Sequence, residues 1–397
     1  MRKGIFGLIF LLTLYGLFLW GCQANSAAIP AGEPDPAVWG EVYTDQYATY
    51  LKNSQMSSTL YRGSEPVDYL EMFPQLKIIY EGMGFSQEYF RSRGHVYALE
   101  DVKHIARAKP GGTCMSCKSS NVPGLLEKYG AEFYSMPFED IALESDYPVA
   151  CLDCHNPSNM ERRISRPFLT QALDKTANPP AKTSAQDLVC AQCHVEYYFD
   201  QETLEVVLPW EKGLKLHQVE EYFDEMDYAD WVHPRAGTPL IKIQHPEYQF
   251  YLGSVHDSIG LTCVGCHMPT VKGESGQEIP SHWWTSPLNH MEESCSSCHQ
   301  DLPGIRARCE GIQEETTDSM EAVMDKLVDI IEGLAVLAEQ GESQELEKIR
   351  GLHRKAHIRF DWVFVENSWG FHHSKEAREL LDEAHEYADQ ALELLIN

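Results

Sequence analysis

Apolar and polar positions change their pattern several times along this chain. The first residues, MRKGIFGLIFLLTLYGLFLWGC, put two cations ahead of an apolar run that ends near Trp20. That order marks an export signal. The run is short for a comfortable membrane span, so for residues 1–22 cleavage, retention as an anchor and lipid attachment at Cys22 are all compatible. Residues 23–60 are polar, contain AAIPAGEPDP and read as a linker. From 61 to 309, Gly, Pro and polar residues keep interrupting short apolar runs. This predicts short helices and loops, with one alternating stretch, LEVVLPW at 204–210, as a small hairpin. In 310–397 helical spacing takes over. Met320, Val323, Met324, Leu327, Ile330, Ile331, Leu334 and Leu337 share one face. Leu380, Leu381, Ala384, Ala388, Ala391, Leu392 and Leu395 share another, with Ser374 as candidate N-cap. The chain is therefore expected to be mainly α, its long C-terminal helices packing on the body and on a second copy of the chain.

Charge narrows the partners. The 397 residues carry 60 Asp and Glu against 32 Lys and Arg, a formal charge of −28. Nucleic acid and an anionic membrane surface would be repelled, which leaves most of these carboxylates as a solvated surface.

Cysteine changes the picture most. Of 12 cysteines, ten fall into five Cys-x-x-Cys pairs: Cys114/Cys117, Cys151/Cys154, Cys190/Cys193, Cys263/Cys266 and Cys295/Cys298. Four pairs are followed at once by histidine, namely His155, His194, His267 and His299. This is the attachment signature of haem c, in which two thiols bond the macrocycle and the adjacent imidazole binds iron. Zinc sites also use Cys-x-x-Cys pairs, but they do not require histidine after each second cysteine. Cys309 reads as a small buried hydrophobe. Five buried macrocycles would supply the core that the sequence between Gly111 and Cys309 lacks, giving a multihaem cytochrome c fold of short helices and loops around five haems. With an export signal in front, the protein belongs in the periplasm or on the outer face of the cytoplasmic membrane.

The first pair departs from the others. In CMSCK, residues 114–118, Lys118 stands where histidine is expected. A primary amine donates to a metal only once deprotonated and has no π system, so it would tune its iron differently from an imidazole. Iron held on both faces transfers electrons, whereas iron with an open face can bind a substrate. His95, His256, His282 and His372 are candidates for second-face ligands by position, while His217, His233, His290, His353, His357 and His385 read as surface or core residues.

Four Cys-x-x-Cys-His motifs behind a leading Cys-x-x-Cys-Lys resemble the pentahaem cytochrome c nitrite reductases, which reduce nitrite to ammonium. The resemblance runs from RGHVYALED (93–101) to WGFHH (369–373) and is most specific in CAQCHVEYYFD (190–200) and IKIQHPEYQFYLGSVH (241–256). It implies that Lys118 is the proximal ligand of a catalytic haem. Above the open face it places Arg107 of HIARAK, Tyr197 of VEYY and His245 of IQHPEY, with Arg91 and Arg93 as alternatives for the arginine. It assigns His282, His95, His372 and His256 to the second to fifth haems, with His373 as rival to His372. It adds a Ca²⁺ ion bound by the Glu196 side chain, the Tyr197 and Lys242 carbonyls and the Gln244 amide. It also implies a homodimer fed by a membrane multihaem quinol dehydrogenase or a soluble cytochrome. Two other functions fit the motifs: an electron-transfer cytochrome without substrate chemistry, and a reductase acting mainly on hydroxylamine or sulfite.

Overall fold

The computed structural model describes residues 28–181 and 183–396; the expectations for 1–22, Cys22 included, lie outside them. Among the described residues no helix is long and apolar enough to cross a membrane.

Three helices organise the C-terminal part. Leu302–Ala338 begins behind Asp301, whose carboxylate accepts the Gly304 N–H at 3.0 Å. Its predicted stripe from Met320 to Leu334 is fully buried. Ser374–Ile396 buries Leu380, Leu381, Ala384, Ala388 and Ala391, and it starts at Ser374 itself. Between them lies Gln344–Val365, a helix that the sequence pattern did not announce. Its nine consecutive residues from Ala356 to Phe364 are all buried. A stretch enclosed on every side, here with His357, Arg359 and Asp361 buried among apolar residues, has no polar face and so no amphipathic period to read. Two expectations change here. The first C-terminal helix begins before residue 310, so no boundary falls at 309/310. The apolar stripes are also covered within the chain, in a cluster that runs from Tyr69 and Leu70 through Met320 and Trp362 to Ala391. They therefore give no argument for a second subunit.

The remainder is built from short pieces. The hairpin pairs Val206–Val207 with Tyr198–Phe199, antiparallel, in the register Tyr198↔Val207. Two further small antiparallel pairs join Trp231–Val232 to Pro239–Leu240 and Thr270–Lys272 to Glu278–Pro280. A second cluster, from Leu99 and Met115 to Trp210 and Tyr248, takes in residues of the first and third attachment motifs. A small third one joins Leu288, Met291 and the buried Cys309 near the fifth.

The 23–60 linker expectation also fails. Helices occupy Pro36–Gly40 and Thr44–Leu51, with Trp39 and Tyr50 buried. Aromatic anchors outweigh a Pro- and Gly-rich composition when each finds a pocket and a polar partner. The Tyr50 hydroxyl donates to the Val149 carbonyl at 3.2 Å. Asn53 donates to the His282 carbonyl at 2.7 Å, and Thr49 accepts the His282 N–H at 2.9 Å. The segment read as linker thus fixes the backbone of a candidate haem ligand.

Candidate functional site

Each of the four motif histidines faces one second histidine. Ring centroids lie 6.2 Å apart for His155 and His282 and 5.8 Å for His194 and His95. The spacing is 6.2 Å for His267 and His372 and 6.5 Å for His299 and His256. Metal–imidazole bonds of about 2 Å place a metal about 3 Å from each ring centre, so two axial rings stand roughly 6 Å apart. The rings are also turned for the task. Nδ1 of His155, His267 and His282 is bonded to the carbonyls of Met160, Thr285 and Pro280 at 3.0, 3.2 and 3.0 Å. Such bonds fix the tautomer and leave Nε2 as the donor atom. Burial pushes His95 down to about 3 and His267 and His282 down to about 4, so these rings are neutral, the form that ligates. The donor set fits iron held on both faces at four motifs.

The attachment thiols are not equally sheltered. Nine of the ten are partly covered, whereas Cys298 is exposed. The reason is the place of the fifth motif. Cys295 to His299 stand just ahead of the long helix Leu302–Ala338, and the apolar cluster beside them is the small one of Leu288, Met291 and Cys309. Few side chains are at hand to cover the second thiol, and the neighbour of Cys298 Sγ is the polar Ser297 hydroxyl at 3.7 Å. Exposure leaves the thiol free to form its thioether, and His299 still faces His256. Cys298 thus remains an attachment residue.

Carboxylates support two of the rings. His372 Nδ1 lies 2.5 Å from buried Glu366. The chain reaches this point through a turn in which Trp369 adopts φ 47° and Gly370 φ 89°. Left-handed backbone is costly for tryptophan, and the buried indole holds it by donating to the Phe364 carbonyl at 3.1 Å. His373 points elsewhere, pairing with Glu376 at 2.7 Å. His194 Nδ1 lies 3.5 Å from Glu247. Burial opposes charge on His194, but Glu247 outweighs it and raises the imidazole to about 9.

The Lys118 motif has a different neighbourhood. Segments 194–199 and 241–248 run side by side: Tyr248 N–H donates to the His194 carbonyl at 3.1 Å, and Gln244 N–H donates to Glu196 Oε2 at 2.6 Å. This pairing brings Tyr197 and His245 to one place, within electrostatic reach of Cys117 and Lys118 respectively. His245 and His194 have ring centroids 6.3 Å apart, but Glu247 sits between their Nδ1 atoms, at 3.9 and 3.5 Å. His245 is thus joined to the third motif through a carboxylate, while His95 holds the other side of the His194 ring. Burial pushes His245 below its ordinary value and Glu247 pulls it back. Burial raises Tyr197 far above a normal phenol.

Of the three arginines, Arg107 stacks 3.8 Å over the Phe85 ring and feels Tyr197 and Cys114. Arg91 is spent on the Glu65 carbonyl at 3.0 and 2.7 Å, and Arg93 on Asp101 at 2.5 Å and Glu100 at 3.0 Å. The first stays with the pocket and the other two turn from it.

Glu196 is fully buried, and its Oε1 has no hydrogen-bond partner. A buried carboxylate oxygen left in that state is expensive unless a cation meets it. Oxygens gather nearby: Gln244 Nε2 donates to the Lys242 carbonyl at 3.0 Å, which puts that amide and carbonyl together. Among the described residues no three Asp, Glu, His or Cys side chains converge, so a cation here would rest on one carboxylate plus neutral oxygens. Hard divalent ions accept that donor set, and Glu196, Tyr197, Lys242 and Gln244 fit Ca²⁺ chemically. The Lys242 side chain is used otherwise, in a buried pair with Asp361 at 2.8 Å. Asp361 also accepts Ile243 N–H and the Tyr80 hydroxyl, at 2.8 and 2.5 Å.

Residues 35–397 match the cytochrome c552 family. The chain belongs to that family. A cytochrome c nitrite reductase subunit NrfA from Nitratidesulfovibrio vulgaris is 32% identical over 400 residues, covering 89% of this chain and 76% of that protein. A cytochrome c-552 from Bacteroides fragilis is 32% identical over 370 residues, covering 89% and 75%. The solved catalytic subunit NrfA of the cytochrome c nitrite reductase from Desulfovibrio desulfuricans, described for its two calcium sites, superposes with a TM-score of 0.85 at 30% identity, covering 93% of this chain and 87% of that one. The mainly helical multihaem fold of this cytochrome c552 family member is therefore the fold expected from its motifs. Sequence reasoning missed Glu247, Glu366 and Asn53, the residues that hold histidines from behind. Glu247 and Glu366 had only closeness to His245 and His372 as a signal, which a chain this acidic does not make specific, and Asn53, far from every motif, had none.

Proposed function

We propose that this chain reduces nitrite to ammonium at the Lys118 motif, with the four other motifs as its electron relay. Haem c, when bound, supplies the iron that takes nitrite and the electrons that reduce it. The chain's own residues do the rest. Lys118 would hold the iron of the first haem, and His282, His95, His372 and His256 would complete the second to fifth sites. Arg107 offers nitrite a permanent positive charge and a fork of donors in an otherwise acidic protein. His245, held by Glu247, gives a proton as the first N–O bond breaks. Tyr197, whose phenol keeps its proton, donates a hydrogen bond to bound nitrogen species. Six electrons and eight protons are needed in all, which is why one pocket draws on a relay. Ca²⁺ bound by Glu196, Tyr197, Lys242 and Gln244 would tie the two pocket segments together and add positive potential.

One observation carries this reading. Four motif histidines each have a second imidazole about 6 Å away, whereas at the Lys118 motif the nearby groups are different: His245 is within electrostatic reach of Lys118, and Tyr197 within reach of Cys114 and Cys117, on segments that Glu196 ties together. A pure electron-transfer cytochrome would have no use for that difference. Electrons come from a redox partner outside the chain, a membrane multihaem quinol dehydrogenase or a soluble cytochrome. The periplasm, or the outer face of the membrane, is where an export segment and covalent haem lead. A homodimer rests on the family resemblance alone, and light scattering of the holoprotein tests it.

Electron paramagnetic resonance of the holoprotein, before and after nitrite, tests the function alongside a haem-to-protein ratio. One high-spin haem in five that responds to nitrite is the expected result. Five low-spin haems indifferent to nitrite would leave an electron-transfer protein. Lys118→His should retain the haem and change nitrite turnover; unchanged kinetics would remove lysine as the tuning ligand.

A further inference from the structure

Among the described residues, Arg166 is a fully buried arginine outside the pocket whose donors reach into several attachment motifs at once. Its Nε donates to the Ser116 carbonyl at 2.5 Å, inside the first Cys-x-x-Cys loop. One terminal nitrogen donates to the Ser119 carbonyl at 3.1 Å and to Asp153 Oδ1 at 2.6 Å. Asp153 lies inside the second loop, and its other carboxylate oxygen accepts the Ala150 N–H at 2.8 Å. The second terminal nitrogen donates to Ser165 Oγ at 2.7 Å. Ser165 Oγ in turn meets Gln192 Oε1 at 3.0 Å and the Asp153 carbonyl at 2.7 Å. Gln192, inside the third loop, donates to the Asp153 carbonyl at 3.0 Å.

The two variable residues of a Cys-x-x-Cys loop are free for other use, and here three loops spend one of theirs on a common network. The first and third loops also lie close enough for the Cys117 and Cys193 thiols to influence one another. A forked, planar cation suits this position, because a single side chain has to serve three carbonyl and hydroxyl oxygens and one carboxylate in fixed directions. Replacing the ion pair by an apolar contact would fill the same space, so stability alone does not explain a network aimed at three loops.

We propose that Arg166 is a positioning residue that locks the first three haem-attachment motifs into one block, and so fixes the junction at which electrons reach the Lys118 site. The proposal rests on the haem reading above. Arg166 touches no substrate; it acts through the loops that carry the haems, whose potentials follow local hydrogen bonding and burial.

The test uses holoprotein carrying R166M together with D153N, which removes both charges and leaves no carboxylate unpaired, and R166K alone, which keeps the charge without the fork. Expected are five haems per chain in both, shifted midpoint potentials for relay haems, and internal electron transfer to the nitrite-binding haem slowed at least tenfold in the double variant and less in R166K. Five haems with wild-type potentials and rates in either variant would overturn the proposal. If the double variant does not assemble, R166K decides. Haem lost from the first three motifs only, read from peptide masses, supports the lock, and loss spread evenly over all five overturns it. Wild-type protein without covalent haem would instead overturn the haem reading itself.

Discussion

The C-terminal helices and the body with the attachment motifs hide surface from water by different means. In the helices the chain provides its own interior. Met320, Val323, Leu327, Ile330 and Leu334 from one helix meet Phe360 and Trp362 from the next, all fully buried. In the body, the helices Val255–Ser258 and Cys263–His267 contain no buried residue, although they carry two histidines that face ligand partners. Side chains of these two helices do not pack into a core of their own, although elsewhere the body has one, from Leu99 to Tyr248. The lesson is that order in one region follows from composition, and in the other from covalent attachment and ligation.

Blocking haem attachment should produce the largest effect. Chain made where haem cannot be attached is expected to lose hydrogen-exchange protection across 61–301, with Leu302–Ala338 and Ser374–Ile396 protected longest. A body protected as in holoprotein would erase the contrast between the regions. Next comes the pocket. His245→Asn should lower nitrite turnover by about 10² to 10³-fold, the scale of losing a positioned proton donor, with five haems still attached. A near wild-type rate would take His245 out of the chemistry.

Leu327→Ala probes the self-made core. Removing a fully buried leucine should cost roughly 2–5 kcal/mol, read as a lower Tm with an unchanged haem spectrum. A shifted haem spectrum would show that the two regions are not separable in this way.

Near neutral pH the smallest effect is that of a single histidine. Burial pushes His357 down to about 3, with Lys242 and His233 adding to it, while its ring packs against Tyr80 and Trp231. In the unfolded chain a histidine titrates near 6.5. The unfolded state therefore binds the extra proton as pH falls, and stability present above about 6.5 is lost toward 3, at up to about 1.4 kcal/mol per pH unit. His357→Phe should flatten the acid side of the Tm curve by that single proton. An unaltered curve would locate the acid sensitivity elsewhere, in His353 or in the body.

Much of this was legible in advance for local reasons. A Cys-x-x-Cys-His motif completes its chemistry within five consecutive residues, so the four histidine motifs and the odd Lys118 could be read directly. How deeply each motif lies could not, and Cys298 turned out exposed because cover depends on which segments happen to pack beside it. The stripes from Met320 to Leu334 and from Leu380 to Ala391 were legible because each helix has one face in the core and one in water. Gln344–Val365 was not, since burial on all sides from Ala356 to Phe364 removes the period there. Residues 36–54 were misread because composition cannot show that Tyr50 and Asn53 find Val149 and His282. Asn53 and Arg166 look in sequence like ordinary polar residues.

Sequence by itself determined which residues can attach haem, how many motifs there are and that one differs. Tertiary structure alone decided which imidazole stands about 6 Å from which, that Glu247 sits between His194 and His245, and that Arg166 joins three loops. The physical reason is one of range. Covalent chemistry and helical periodicity act over a few residues, whereas metal ligation, buried ion pairs and shared carboxylates depend on distances of a few ångströms between segments far apart in the chain.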